Sequence, residues 1–161
     1  MSKIQKITPF LWFDSQAEPA AELYISLFED SKIGHVSRYG EGAPVAKGTA
    51  MVVDFQLAGL PLLAMNGGPM YKLSESFSLL VNARDQDEVD RLWNLLTADG
   101  GRESQCGWLT DRFGLTWQIV PARFTEMIKD PDPARAQRVF AAMMTMKKFD
   151  IAQLERAYAA S

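Results

Sequence analysis

The sequence predicts an α+β fold built from two βαβββ modules followed by a helical extension. Three observations carry that prediction. The order of a strand, an acid-capped helix and hairpin strands occurs twice, offset by roughly 70 positions. Strand segments in both copies alternate with a period of two, while the segments between them carry apolar residues at helical spacing. Beyond Pro121 the pattern turns helical. The modules are placed at residues 1–70 and 71–121 and the extension at 122–161, together forming one structural domain.

Ile7 to Phe13 reads as a short aromatic strand, with Pro9 marking an edge or a bulge. Asp14-Ser15 is the expected cap of a helix over 17–28, whose apolar face is Ala20, Ala21, Leu23, Tyr24, Leu27 and Phe28. Strands follow at 33–39, 49–57 and 60–65, the last two joined by the turn Ala58-Gly59. In the second copy Ser76 to Val81 is a strand, and Asp85 caps a helix running to about Thr97 with Val89, Leu92, Trp93 and Leu96 on one face. Arg102 to Leu109 and Leu115 to Val120 are strands around the turn Asp111–Gly114. Three helices are expected in the extension: 123–128, 134–146 and 151–158, with Pro133 in the first turn of the second and Asp150 capping the third.

Of 161 residues, 47% are hydrophobic and 23% charged, and the net charge is −3. Acids and bases are interspersed, which leaves no basic footprint for a phosphate backbone and argues against a nucleic-acid partner. No stretch reaches the roughly 18 apolar residues of a membrane span. The basic opening Met1–Lys6 runs into an alternating strand rather than a signal core. One cysteine, Cys106, excludes an internal disulfide and fits a reducing compartment, so a cytoplasmic location is expected.

A βαβββ unit used twice is the arrangement of the vicinal-oxygen-chelate superfamily, the glyoxalase/bleomycin-resistance/dioxygenase fold. Five segments sharpen this: Ile7–Asp14, Ala20–Tyr24 with Leu27-Phe28 and Asp30-Ser31, Leu63–Pro69, Cys106–Pro121 and Met144–Ile151. Together they resemble the PhnB-like family, whose members are often called 3-demethylubiquinone-9 3-methyltransferase domain proteins. The resemblance implies a small-molecule cavity and a homodimer, because modules of this superfamily pair within or across chains. It also implies that strand positions could hold a divalent ion through His, Glu or Gln.

Those positions fall near Ile7 and Ser76, within Leu60–Met65, which holds no acid, and at Gln118. One amide without partners does not make a chelate, and the sole histidine, His35, lies on another strand, so no metal is expected. A methyltransferase using S-adenosylmethionine needs a Gly-rich turn that opens a helix; Gly40-Glu41-Gly42 runs into Ala43-Pro44 instead, and no cofactor is expected. Cys106 is a candidate nucleophile, against the reading of an inert thiol on a strand. Asp111 is a candidate acid or base, against the reading that it caps its own turn. His35 reads as an exposed strand residue rather than a proton carrier. The Ala141-Ala142-Met143-Met144-Thr145-Met146 run reads as core or interface rather than a ligand wrap.

The expected substrate-binding residues are Phe10, Trp12, Trp108, Phe113 and Trp117 as apolar walls, with Asn66 and Gln118 as orienting amides. Core packing is the alternative for each aromatic. The leading functional reading is a metal-independent small-molecule protein of unknown substrate. Its alternatives are a ligand-sequestering protein of the resistance type and a metal-dependent lyase or dioxygenase.

Overall fold

Alternation along Ala50–Leu57 (β3) puts Val53, Phe55 and Leu57 on one face of the strand and Val52, Asp54 and Gln56 on the other. Its neighbours follow the same division. The computed structural model describes residues 4–161; Met1, Ser2 and Lys3, half of the basic N-terminal hexapeptide, lie outside the described residues. The chain forms two compact units, Met1–Leu73 and Ser74–Ser161, the second including the C-terminal helices.

In the first unit the elements are β1 (Phe10–Phe13), α1 (Ala17–Leu27), β2 (Lys32–Arg38), β3 and β4 (Leu60–Asn66). The sheet order is β1-β4-β3-β2, with β1 parallel to β4 and the other pairs antiparallel. Pro9 precedes the edge strand β1, where its missing N–H costs no ladder bond, and its carbonyl accepts from Leu63 N at 3.0 Å. Ala58 and Gly59, both at positive φ, make the two-residue hairpin between β3 and β4.

Helix α1 buries Ala17, Ala20, Ala21, Tyr24 and Leu27 against one face of this sheet, where Leu11, Phe13, Val53, Phe55, Leu62 and Ala64 are also buried. The three alanines let the helix approach closely. Tyr24 and Leu27 supply most of the apolar area, about 1.5–3 kcal/mol for a fully buried large aliphatic side chain. The predicted Asp14-Ser15 cap does not form: the N-cap is Gln16, without a side-chain bond. Glu18 pairs with Arg38 at 2.8 Å, which holds the Glu18 carboxyl below its ordinary range.

The second unit repeats the plan. β5 (Ser78–Ala83), α2 (Gln86–Thr97), β6 (Arg102–Glu103), β7 (Trp108–Thr110) and β8 (Thr116–Pro121) form a sheet ordered β5-β8-β7-β6, again with the outer pair β5/β8 parallel. Asp85 caps α2 by accepting from Glu88 N at 2.9 Å, as the sequence predicts. Val89, Leu92, Trp93 and Leu96 are the buried stripe. One expected strand differs: Arg102–Leu109 is broken between β6 and β7 by a turn in which Cys106 (φ 56°) and Gly107 (φ 83°) are left-handed.

That turn is anchored by the tail. Cys106 N donates to Met146 O (2.8 Å), Gly107 N to Lys147 O (2.7 Å), and Gly107 O accepts from Ile119 N (2.8 Å). The last helices are α3 (Ala122–Met127), α4 (Pro133–Met143) and α5 (Ile151–Ala159). α4 stops three residues short of the predicted end, because Met144–Met146 turn to deliver those carbonyls. Asp132 and Asp150 cap α4 and α5, accepting from Ala134 N and Gln153 N at 3.0 Å. Arg123 bridges to Glu155 at 2.6 Å, lowering the Glu155 carboxyl.

Candidate functional site

The face of the first sheet turned away from α1 is where residues of different chemistry converge. Strand register sets them in transverse rows. Phe10 (β1) lies beside Leu63 (β4), Leu63 beside Asp54 (β3), and Gly34 (β2) packs on Asp54. The next row outward is Pro61, Gln56 and Lys32. A cavity of about 290 Å³ lies on these rows, lined among others by Thr8, Lys32, Gly34, Asp54, Gln56 and Leu63.

Gly34 keeps that floor open. A Cβ at this position would meet Asp54 Cβ at 3.4 Å, and any longer side chain would extend over the carboxylate. Asp54 is exposed in the middle of an interior strand, where acids are depleted. The Gln56 amide N–H₂ is held by Asp30, with Nε2 at 3.0 Å from Oδ1 and 3.1 Å from the carbonyl. None of the residues lining this cavity was among the expected site residues; of those missed, Lys32, Gly34 and Asp54 give it its charge and its room. Asp54 had a signal: it is the one charge within an otherwise apolar or amide-bearing strand.

The residues that the sequence singled out are distributed as follows. Phe10 stands in the Asp54 row and is 52% exposed. Trp12, one row further, is bound to the segment after β4: its indole N–H donates to Gly68 O at 3.0 Å, and its ring meets Tyr71 edge-on at 5.1 Å. Gly67 is required there, since a Cβ would come within 2.3 Å of the indole ring. Asn66 is buried and structural in its contacts. Its Oδ1 accepts from Ala17 N at 2.8 Å, supplying from 49 residues away the cap that Asp14-Ser15 do not, and its Nδ2 donates to Ala50 O at 3.0 Å. Asn66→Ala is expected to lower stability by about 2–3 kcal/mol, read as a drop in the urea midpoint, because both backbone groups lose their buried partner.

In the second unit Trp108 and Gln118 are cross-strand partners, and Gln118 Nε2 donates to Ser78 Oγ at 2.9 Å. Beside them runs the hydroxyl row Ser78, Thr116 and Thr110, in which the buried Thr116 Oγ1 has no hydrogen-bond partner among the described residues. Asp111 and Trp117 are also joined, but inside the core. Asp111 Oδ1 accepts from Phe113 N (2.8 Å) and Leu115 N (3.1 Å), and Oδ2 accepts from the Trp117 indole (2.9 Å). Phe113 is half-buried in that turn beneath the Arg112 guanidinium. Cys106 Sγ lies 3.9 Å from Met144 Sδ, on a turn rather than a strand.

The strand positions of a chelate hold unsuitable donors. Ile7 precedes β1 and is 83% exposed, and Ser76 precedes β5, its hydroxyl bonded to Ser74. Among the described residues no three His, Cys, Asp or Glu side chains converge. His35 is exposed at the register shift of β2. Nor do the two strand-to-helix turns suit a nucleoside cofactor, since residues 14–16 and 84–85 contain no glycine. No helix among the described residues is long and apolar enough to cross a membrane. A second cavity of about 340 Å³ lies under the β2–β3 loop, between Asp14, Tyr39, Val45, Thr49 and Pro69.

The family model described as 3-demethylubiquinone-9 3-methyltransferase matches residues 5–120. The PhnB protein from Bacillus cereus is 32% identical over 73% of this chain and 100% of its own, with a TM-score of 0.68. Protein PA1353 from Pseudomonas aeruginosa is 23% identical over 71% of this chain and 95% of its own, with a TM-score of 0.57. No curated protein matches the chain. With twin βαβββ modules and a family match over most of its length, the chain belongs to the 3-demethylubiquinone-9 3-methyltransferase family, the PhnB-like group of the vicinal-oxygen-chelate fold.

Proposed function

We propose that this protein binds a small molecule on the open face of its first sheet and does so without a metal ion. The observation that carries the reading is the row Leu63, Asp54 and Gly34 under a cavity of about 290 Å³. An apolar floor with a few polar groups is the usual make-up of a ligand site. Asp54 is the acid best placed to accept a hydrogen bond or a proton from the bound molecule. Asp111 we assign to the fold, because both its oxygens serve donors of its own turn and core.

The family's methyltransferase name is a weaker guide to the reaction. Methyl transfer from S-adenosylmethionine would need the glycine-bearing turn that residues 14–16 and 84–85 do not offer. Sequestration without turnover is the second reading, favoured by the engagement of Asp111 in its turn. Conversion that Asp54→Asn abolishes would decide for an enzyme. We also infer self-association, supported by Phe140 and Met144, one turn apart at the end of α4 and both more than half exposed.

Native mass spectrometry of protein isolated gently from lysate tests this. The expected species has twice the monomer mass and carries a co-purifying small molecule that persists after chelation with EDTA. Loss of that molecule together with a stoichiometric metal ion would overturn the metal-independent reading. Only bare monomer would overturn both binding and self-association.

A further inference from the structure

The charges on the cavity rim narrow the class of ligand. Lys32 pairs in register with Gln56, and Asp54 stands two residues before Gln56 on the same face of β3. The two charged side chains are therefore diagonal neighbours, roughly 7–8 Å apart at the backbone. Neither has a hydrogen bond or ion pair among the described residues. Other charges of the unit are paired: Glu18 takes Arg38 at 2.8 Å, and Lys47 takes Glu41 at 2.7 Å.

Both side chains are exposed, so closing on one another would gain them only about 0–1 kcal/mol, and each stays available to a ligand. Here Gly34 leaves the space beside Asp54 empty, and the Gln56 amide that could have bridged to the carboxylate is drawn away to Asp30. The result is an acceptor and a cation set diagonally across Gly34 and Gln56, with Leu63 and Pro61 flanking them on β4, in the lining of one cavity.

We infer that the cavity selects a small zwitterion, its ammonium or other cationic donor set against Asp54 and its oxyanion against Lys32. This rests on the reading that the face binds a small molecule, and it adds the charge pattern of that molecule. A flexible chain between the two charges would cross Gly34 and the Gln56 side chain, with Leu63 and Pro61 alongside. Phe10 lies beyond Leu63 in the same row, on the side away from Gly34.

The test uses three probes of matched chain length: 5-aminopentanoate, pentanoate and pentylamine. Each is titrated into the full ¹⁵N-labelled chain at low salt, with the amide shifts of Gly34 and Asp54 as the readout. The zwitterion is expected to bind about fivefold tighter than either single-charge probe, the yield of one partly solvated ion pair. Asp54→Asn should bring it down to the affinity of pentanoate, and Lys32→Met to that of pentylamine. Both positions are exposed, so the fold tolerates these changes. Equal affinity for all three probes would overturn the zwitterion inference while leaving the small-molecule reading intact. Failure of every probe to move the Gly34 and Asp54 amides would also overturn it, and the fate of the wider reading would then follow from the co-purifying molecule.

Discussion

Gly107→Ala is expected to cost about 3–5 kcal/mol of stability, the sum of a backbone and a packing effect. At φ 83° an alanine is strained whatever the space around it. Here the space is also taken: a Cβ would lie 2.4 Å from Phe149 Cε2 and 2.9 Å from the Ile119 carbonyl. The ring could rotate, but the carbonyl cannot retreat, because Gly107 O is held by Ile119 N and Gly107 N by Lys147 O. Denaturation by urea measures this. A midpoint within about 1 kcal/mol of the parent would show that the turn relaxes, and that the tail does not pin it.

Asp111→Ala should cost about as much, roughly 3–4 kcal/mol, by a different route. It leaves the Trp117 indole N–H without its acceptor in a residue 1% exposed, and frees two backbone N–H groups of the turn. Asp111→Asn separates these contributions. Its amide oxygen can still serve the turn, while its N–H₂ would then face the indole N–H, donor against donor, at an expected cost of about 2 kcal/mol. If Asp111→Asn unfolded at the parent's midpoint yet lost all turnover, Asp111 would be an acid or base after all, and its place in the fold would be secondary.

These two positions explain why the motif Cys106-Gly107-Trp108-Leu109 with Asp111 was legible as a family mark but not as chemistry. The residues meet structural demands: a left-handed turn, a close approach to Phe149, a buried carboxylate under an indole. The element order was equally legible, because periods of two and 3.6 are local properties. So were the caps of α2 and α5, where the acceptor lies within three residues of its donor. The cap of α1 was not, since Asn66 reaches it from 49 residues away. Nor was the break at residues 104–107, which depends on carbonyls of Met146 and Lys147 some forty residues on.

The candidate site was legible only in part. Phe10 belongs to its rows, and Trp12 to the next one, because both lie on the correct face of a short aromatic strand. The expected cluster of aromatics is otherwise divided by use: Trp117 is core, Trp12 is clamped to Gly67 and Gly68, and Phe113 sits in a turn. Asp54, Lys32 and Gly34 escaped notice because their convergence depends on the register between β2, β3 and β4. Each alone is an ordinary strand residue, and their spacing in sequence carries no pattern.

The most direct test is to determine where the co-purifying molecule sits, by solving the structure of the protein isolated with it in place. The account predicts the molecule on the open face of the first sheet, in contact with Gly34, Asp54 and Leu63 and with no metal ion between. A molecule seated instead in the cavity beneath the β2–β3 loop, between Tyr39, Thr49 and Pro69, would contradict it.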